Sequence, residues 1–187
     1  IKVVYDQLPM TGYGTYFEGL PEDGETTAEK NGVKITSPVA EADGKITLTP
    51  PTPTNRLDTK IAFAANNTSL EGIVTYTFDV TTGSASPEFM FGINNLDLNG
   101  HRAFFEQNAT ANTNYVIEFK YNTQTAEYSL KMNGVDKTPS SLYKPTASEG
   151  ITDVTLAAYK GSASTVVINK IKVVYDQLPM TGYGTYF

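Results

Sequence analysis

Hydrophobic and polar residues alternate with a period of two along much of the chain. In VTYTFDV, residues 74–80, large apolar side chains occupy every second position, and threonine or aspartate occupies the others. The segments YVIEFKY (115–121) and EYSLKM (127–132) show the same alternation. A period of two is typical of a β-strand that buries one face. The pattern therefore predicts a half-buried strand at each of these three places.

Further strands are predicted where short apolar runs lie between turn signals. The segments EFMFGI (88–93) and AFF (103–105) are apolar on both faces, which indicates deeper burial. The remaining predicted strands lie at 33–37, 45–49, 59–64, 152–159 and 164–176. Sequences rich in Gly, Asn and Asp separate these strands, as EDG, ADG and NG do.

Roughly ten short strands with this spacing, and no convincing amphipathic helix, predict an all-β protein. The expected fold is an antiparallel two-sheet β-sandwich of the jelly-roll type. The last predicted strand, 164–176, changes its inward side part-way along. Val166 and Ile168 share one parity, whereas Ile171, Val173 and Tyr175 share the other. We therefore expect a β-bulge near residues 169–170, in a central strand of the core.

The segment IKVVYDQLPMTGYGTYF occurs twice, at 1–17 and at 171–187. A fixed period is typical of repeat proteins, so we interpret residues 1–170 as one period of a tandem array. Flanking sequence kept from a neighbouring unit is the alternative. The predicted organisation has a closing strand of the preceding repeat plus a linker at 1–13, a β-sandwich module at 14–176, and a linker plus the start of the next repeat at 177–187.

The N-terminal copy of this segment needs a partner for its apolar side chains. We expect residues 171–176 to fill the place of this strand within the module, and a free apolar strand is an aggregation hazard. Strand complementation into a neighbouring repeat or subunit is therefore predicted, with a simply extended or disordered segment as the alternative. The predicted junction residues are Ile1, Val3, Val4, Tyr5, Ile171, Val173, Val174 and Tyr175.

Composition narrows the classes of partner. The net charge of −6 and the pI near 4.8 predict no binding to nucleic acid or to anionic membranes. The chain has no cysteine, which excludes disulfides, thiolate catalysis and cysteine-ligated metals. No apolar run approaches the roughly 18 residues that a membrane helix requires. The abundance of Thr, Ser, Asn and Gly suits an extracellular or cell-surface protein.

No catalytic arrangement stands out. The only histidine, His101, lies beside a turn and is interpreted as structural. The acidic residues include no pair that the sequence selects as the two converging carboxylates of a glycosidase. We therefore predict that the module is not an enzyme.

Three segments carry a resemblance to a known family: YFEGLPEDG, YVIEFKYNTQTAEYSLKMNG and VVINKIKVVYD. Over residues 14–176 the chain resembles the jelly-roll, concanavalin-like β-sandwich modules of bacterial extracellular tandem-repeat and carbohydrate-active proteins. The resemblance implies a structural calcium held by carboxylates near the first and last strands. Glu18 fits the role of a ligand, whereas Asn169 is a weaker ligand than the aspartate expected there. No other cofactor is expected.

Modules of this kind often bind glycans on aromatic platforms. The candidate glycan-binding residues are Tyr13, Tyr16, Tyr121, Tyr143 and Tyr159, and the absence of Trp weighs against this function. Sequons mark Asn66, Asn67 and Asn108 as candidate glycosylation sites.

Two functional hypotheses follow. The first is a structural repeat unit of an extracellular fibre or long cell-surface protein, joined head to tail to identical repeats or subunits through the duplicated segment. The alternative is a carbohydrate-binding module of an adhesin or of a polysaccharide-degrading enzyme, with a polysaccharide as its partner.

Overall fold

The computed structural model describes residues 13–51, 56–63, 72–85, 87–95, 102–106, 109–138, 150–159 and 164–177. All regular secondary structure within these ranges is β-strand. The strands are β1 (Gly14–Gly19), β2 (Thr27–Lys30), β3 (Val33–Thr36), β4 (Ile46–Leu48), β5 (Leu57–Phe63), β6 (Gly72–Thr82), β7 (Glu88–Ile93), β8 (Arg102–Glu106), β9 (Asn114–Asn122), β10 (Tyr128–Met132), β11 (Val135–Asp136), β12 (Asp153–Tyr159) and β13 (Val166–Gln177).

The strands form two antiparallel sheets, which confirms the predicted β-sandwich. The seven-stranded sheet has the order β1-β13-β6-β9-β10-β11, with β4 also paired to β13. The six-stranded sheet has the order β2-β3-β5-β12-β7-β8. The strand count exceeds the predicted ten chiefly because β2 and β11 are short and mostly exposed. With four and two residues, they show no hydrophobic alternation that a sequence pattern can detect.

One hydrophobic core fills the space between the sheets. Phe91 of β7 contacts Phe78 of β6 and Phe119 of β9, with ring centroids 6.3 Å and 5.3 Å apart. All three rings are fully buried. These aromatic contacts cross from one sheet to the other, and the alternation in β6 and β9 aims the apolar face of each strand inward. The half-buried strands predicted at these places are confirmed.

The bulge predicted in the last strand is also confirmed. The register of β13 against β6 shifts between Ile168 and Lys170. Inside the bulge, the Asn169 side-chain amide donates hydrogen bonds to Asp79 Oδ1 (3.0 Å) and Thr81 Oγ1 (2.8 Å). These two bonds attach the extra residue to β6. Because of the extra residue, even-numbered positions face the core in the first half of the strand and odd-numbered positions face it in the second half.

The predicted inter-unit junction is described in part. Residues 1–12 and 178–187 lie outside the described residues, so the partner of Ile1, Val3, Val4 and Tyr5 stays a prediction. In the C-terminal copy, Ile171, Val173 and Tyr175 are buried in the core of their own module, and Val174 is half-buried on the outward face. Among the described residues, no helix has the length and hydrophobicity needed to cross a bilayer.

Candidate functional site

A groove of about 300 Å³ lies on the outward face of the six-stranded sheet. We call it the polar groove because all but one of its lining residues have polar side chains. The lining residues are Thr36, Ser37, Pro38, Asp58, Lys60, Asn95, Asp153 and Thr155.

Strand register aligns part of this lining in one row. Lys60 on β5 is the cross-strand partner of Thr36 on β3 and of Thr155 on β12. The neighbours of these residues along their strands, such as Ile35 and Ile61, are buried in the core. Because side chains alternate between the two faces of a sheet, the row points away from the core and into the groove.

Asp153 supplies a buried carboxylate to the groove. The residue is 7% exposed, and its Oδ2 lies 3.2 Å from the ammonium nitrogen of Lys60. The backbone N–H of Asn95 donates to Asp153 Oδ1 at 3.2 Å, and the Thr152 hydroxyl donates to Oδ2 at 3.4 Å. A buried carboxylate requires such partners, and together they hold it in one orientation.

The turn after β7 positions the donor that reaches this carboxylate. Asn94 and Asn95 both have positive φ, 48° and 72°, a conformation that asparagine tolerates better than most residues. The Asn94 amide donates to the carbonyl of Gly150 and its oxygen accepts from the N–H of Thr152, both at 2.8 Å. These bonds attach the turn to the segment that precedes β12.

A second charged pair lies at the other end of the groove. Arg56 Nε is 2.8 Å from Asp58 Oδ1 and 2.9 Å from Oδ2. Each of the two aspartates of the groove thus has a basic partner close by. The groove therefore presents both donors and acceptors, without a large excess of either charge.

An apolar cluster adjoins the groove on the same face. Ala157 is the cross-strand partner of Asp58 on the neighbouring strand. Ala157 and Met90 of β7 are buried in this cluster, and Tyr159 packs against them. Tyr159 follows Thr155 by four residues on the same side of β12, a distance of about 13 Å at the usual rise per residue. Of the predicted glycan-binding tyrosines that the structure describes, Tyr159 is therefore the one that shares a face with the groove.

The other predicted glycan-binding residues lie elsewhere. Tyr16 and Tyr121 are each only 2% exposed, so these two are corrected: they belong to the core and have no ring face open to a sugar. Tyr121 follows the inward parity of β9, and Tyr16 lies at the register shift of β1, where both it and Phe17 are buried. Tyr13 is 47% exposed and its ring centroid lies 4.8 Å from that of Tyr175, beside the other sheet. Tyr143, His101, Asn66, Asn67 and Asn108 lie outside the residues whose surroundings the structure describes.

Glu18 has an environment unlike that of a calcium ligand. Its carboxylate forms ion pairs with Lys170 and, at 3.1 Å, with Lys172. These bonds, with Lys170 first, hold the pKa of Glu18 below its ordinary value. Among the described residues, no group of three or more His, Cys, Asp or Glu side chains is placed to hold a metal ion. Because calcium takes six to eight oxygen ligands, two lysines at this carboxylate compete with the predicted ion.

A second depression, of about 320 Å³, lies on the outward face of the seven-stranded sheet. Its lining residues are Ile73, Lys120, Asn122, Glu127, Tyr128 and Ser129, and none of them is buried. It therefore lacks the buried, oriented charge that Asp153 gives to the polar groove.

The sequence did not identify Asp153 as a site residue or the Asn94–Asn95 turn as its partner. Asp153 begins the strand DVTLAAY, of which all residues but the last are buried, so β12 is covered on both faces. A single acidic residue at the start of such a run is the signal that could have identified it. Its partner Lys60 is distant in sequence, and only strand pairing brings the two together.

Comparison with known proteins shows that this chain shares its fold with several solved structures. No protein-family model and no curated protein sequence matches the chain. Among solved structures, the metal-free carbohydrate recognition domain of Emp46p has a TM-score of 0.55 at 11% identity, over 86% of this chain and 97% of that one. Its potassium-bound form has a TM-score of 0.53 at 13% identity, with the same coverage.

Two further structures share the fold. The carbohydrate esterase vb_24B_21 of the Shiga toxin-encoding bacteriophage phi24B has a TM-score of 0.51 at 14% identity, over 89% of this chain and all of that one. A botulinum neurotoxin type C structure, described as interacting with two ganglioside molecules, has a TM-score of 0.50 at 11% identity. This chain covers 88% of its own length and 49% of that structure. At these identities the likeness establishes the β-sandwich.

Proposed function

We propose that the polar groove, with Tyr159 beside it, binds a carbohydrate, and that the chain acts as a carbohydrate-binding module. The observation that carries the proposal is the buried carboxylate of Asp153, held in one orientation at a groove that also offers amide and ammonium donors. Small-ligand sites typically combine a concave surface with a few fixed polar groups.

Sugar hydroxyls suit this set of groups because each hydroxyl both donates and accepts hydrogen bonds. The Asp153 carboxylate accepts a charge-assisted hydrogen bond from one hydroxyl. The Lys60 ammonium is about half exposed, so it can donate to a neighbouring hydroxyl while it stays close to Asp153. Two adjacent hydroxyls of one sugar ring thus meet one acceptor and one donor.

The apolar cluster serves the other part of a sugar. One side of a pyranose ring presents C–H groups, which pack on aromatic and aliphatic surfaces. Met90, Ala157 and Tyr159 form such a surface on the same face as the groove. A volume of about 300 Å³ is at the lower end for small-ligand sites, so we expect one or two sugar residues rather than a long stretch of polymer.

The structural neighbours support the proposal by analogy. The Emp46p structure is described as a carbohydrate recognition domain. The neurotoxin structure is described as interacting with two ganglioside molecules. The bacteriophage protein is named a carbohydrate esterase. An extracellular or cell-surface location, and a polysaccharide or glycolipid as the source of the sugar, belong to the same proposal.

A second function, as a structural repeat unit, is favoured by one observation: the identity of residues 1–17 and 171–187. A tandem array of binding modules combines the two functions, because several weak sites on one polymer gain avidity. Electron microscopy of the native protein tests this second function. Regularly spaced beads are expected, and an isolated single domain contradicts an array.

A glycan array tests the primary proposal. We expect the wild-type chain to bind a subset of glycans, and Asp153→Asn to lose at least about tenfold in affinity while its far-UV circular dichroism is unchanged. Tyr159→Ala should lose affinity for the same glycans.

Matched controls are available on the opposite sheet. Glu118→Gln removes a carboxylate that also pairs with a lysine, Lys120 at 3.4 Å, and Tyr13→Ala removes an exposed tyrosine. Both controls should keep wild-type affinity. A wild-type chain that binds no glycan, or an Asp153→Asn variant with unchanged affinity, contradicts the proposal.

A further inference from the structure

Three of the lining residues of the polar groove are charged: Asp58, Lys60 and Asp153. Arg56, the basic partner of Asp58, is not one of the lining residues. The surface that the groove presents to a ligand therefore holds two carboxylates and one ammonium group. Because charges interact more strongly where water is partly excluded, this balance bears on the charge of the ligand.

The two members of the Lys60–Asp153 ion pair differ in their access to water. The Lys60 side chain is 47% exposed, whereas that of Asp153 is 9% exposed. A lysine side chain is long and flexible, so Lys60 can leave the pair and stay hydrated. Asp153 cannot do the same, because the Asn95 N–H and the Thr152 hydroxyl hold its carboxylate at the groove. Opening the pair therefore costs free energy mainly at the carboxylate.

A sugar ring with a carboxylate meets this asymmetry in its unfavourable direction. To bind the ammonium group of Lys60, the ligand carboxylate has to compete with Asp153, which then keeps its charge without its ammonium partner. A buried charge that loses its partner is strongly destabilising, and two carboxylates close together repel each other. Anionic rings are therefore disfavoured at this groove.

A sugar ring with an ammonium group meets the same asymmetry in its favourable direction. The ligand ammonium takes the place of Lys60 at Asp153 and forms a charge-assisted hydrogen bond with the carboxylate. The displaced Lys60 side chain moves into water, to which about half of it is already exposed. An uncharged ring leaves the ion pair intact and bonds to it through its hydroxyls. Both classes of ring thus bind without leaving the buried carboxylate unpaired.

We propose that the polar groove selects its sugar by charge: it accepts rings that are uncharged or that carry an ammonium group, and it rejects rings that carry a carboxylate. This selection rests on the proposed carbohydrate function, and it identifies the class of sugar. The net charge of −6 on the whole chain repels anionic ligands as well. That long-range effect depends on the total charge, whereas selection by the groove depends on Lys60 and Asp153.

Three probes that differ only at carbon 6 of one ring test the selection. They are the methyl glycosides of 6-amino-6-deoxyglucose, glucuronamide and glucuronic acid, which are cationic, uncharged and anionic at about pH 6. The same set in the galactose configuration changes the ring but not the charges. Nuclear magnetic resonance titration of the wild-type chain measures each dissociation constant, and shifts of the Lys60 and Asn95 amide signals show that the groove is occupied. We expect the uncharged and cationic probes to bind in at least one configuration, and the anionic probe to bind at least about tenfold more weakly.

Lys60→Gln changes the selection in a defined direction. It removes the ammonium group and leaves the charge of Asp153 for a cationic ligand to pair. We expect the affinity for the cationic probe to rise at least about tenfold relative to that for the uncharged probe. The matched control is Lys120→Gln on the other sheet, because Lys120 is 46% exposed and also pairs with an acidic residue, Glu118. The control removes the same charge and should change the ratio by less than about twofold.

The wild-type comparison needs no substitution, so it decides even if Lys60→Gln does not fold. Equal or tighter binding of the anionic probe overturns charge selection, while the proposed function stands because a sugar is still bound. Binding of none of the probes also overturns the selection, and the glycan array then decides separately on the proposed function. An equal change of the ratio in Lys60→Gln and Lys120→Gln assigns the effect to the net charge and overturns the role of the groove.

Discussion

Lys60 on β5 and Asp153 on β12 form an ion pair at the polar groove, with 3.2 Å between Nζ and Oδ2. The carboxylate is nearly buried and the ammonium is half exposed. A pair of this kind adds little stability compared with an apolar pair, because both charges lose hydration. The pair lies on the face that carries the groove.

Removal of the lysine should leave the buried carboxylate without its ammonium partner. We expect Lys60→Met to destabilise the fold by about 1–2 kcal/mol. In the Lys60→Met background, Asp153→Asn should recover part of this loss, because it removes the charge that lacks a partner. Urea unfolding of the wild type, both single variants and the double variant measures the coupling. Strictly additive effects of the two substitutions contradict this account.

Phe91 joins the two sheets through its contacts with Phe78 and Phe119. Phe91→Ala should lower the free energy of unfolding by about 3–5 kcal/mol, because it leaves a cavity between the sheets. Phe91→Leu keeps most of the volume and should cost less than half as much. Chemical denaturation checks both values, and equal losses for the two variants would show that volume is not the cause.

The Thr123 side chain forms hydrogen bonds with Gly72, the first residue of β6. Its hydroxyl accepts from the N–H of Gly72 at 3.0 Å and donates to the Gly72 carbonyl at 3.1 Å. Thr123→Val keeps the shape of the side chain but leaves that buried N–H without this acceptor, so we expect a loss of about 1–3 kcal/mol. The control is Thr77→Val. Thr77 lies on the outward face of β6, so this substitution should change the unfolding free energy by less than about 0.5 kcal/mol.

The ion pairs of Glu18 predict a pH dependence. Hydrogen bonds from Lys170, and then Lys172, lower the pKa of Glu18 from its ordinary 4.5. A carboxyl group whose pKa is lower in the folded state stabilises the fold above its unfolded pKa, and this contribution is lost as the pH falls through the folded pKa. From about pH 6 to about pH 3 the wild type should therefore lose more stability than Glu18→Gln.

Nuclear magnetic resonance of the Glu18 carboxyl carbon checks the cause. Its titration midpoint should lie below 4.5 in the wild type, and Lys170→Ala should raise it. A midpoint at or above 4.5 in the wild type contradicts the assignment. The effect on stability is small, because the ion pair lies on the surface.

Several elements could be predicted from local pattern. The alternation in β6 and β9 correctly identified the buried faces, and the parity change between Ile168 and Ile171 correctly placed the bulge. The ADG and NG signals mark turns in which Asp43 and Asn133, each followed by glycine, have positive φ of 54° and 50°. These features depend on side-chain periodicity or on backbone preference within a few residues.

The candidate site depended on other information. Tyr16 and Tyr121 are the same residue type as an exposed aromatic platform, yet both are buried in the core. Tyr121 is buried because it follows the inward parity of β9, and Tyr16 is buried at the register shift of β1. Tyr159 lies on the other sheet and on its outward face. The choice between a core tyrosine and a surface tyrosine therefore required the position of each strand in the sandwich.

The sequence by itself determined the all-β class, most of the strands and the bulge in β13, because each is encoded by residues close together in the chain. Only the tertiary structure decided that Asp153, Lys60 and the Asn94–Asn95 turn share one groove, and that the closing strand lies between β1 and β6. Those relationships arise from pairing between strands far apart in sequence, where many registers satisfy the same hydrophobic pattern and the packing of the whole core selects one.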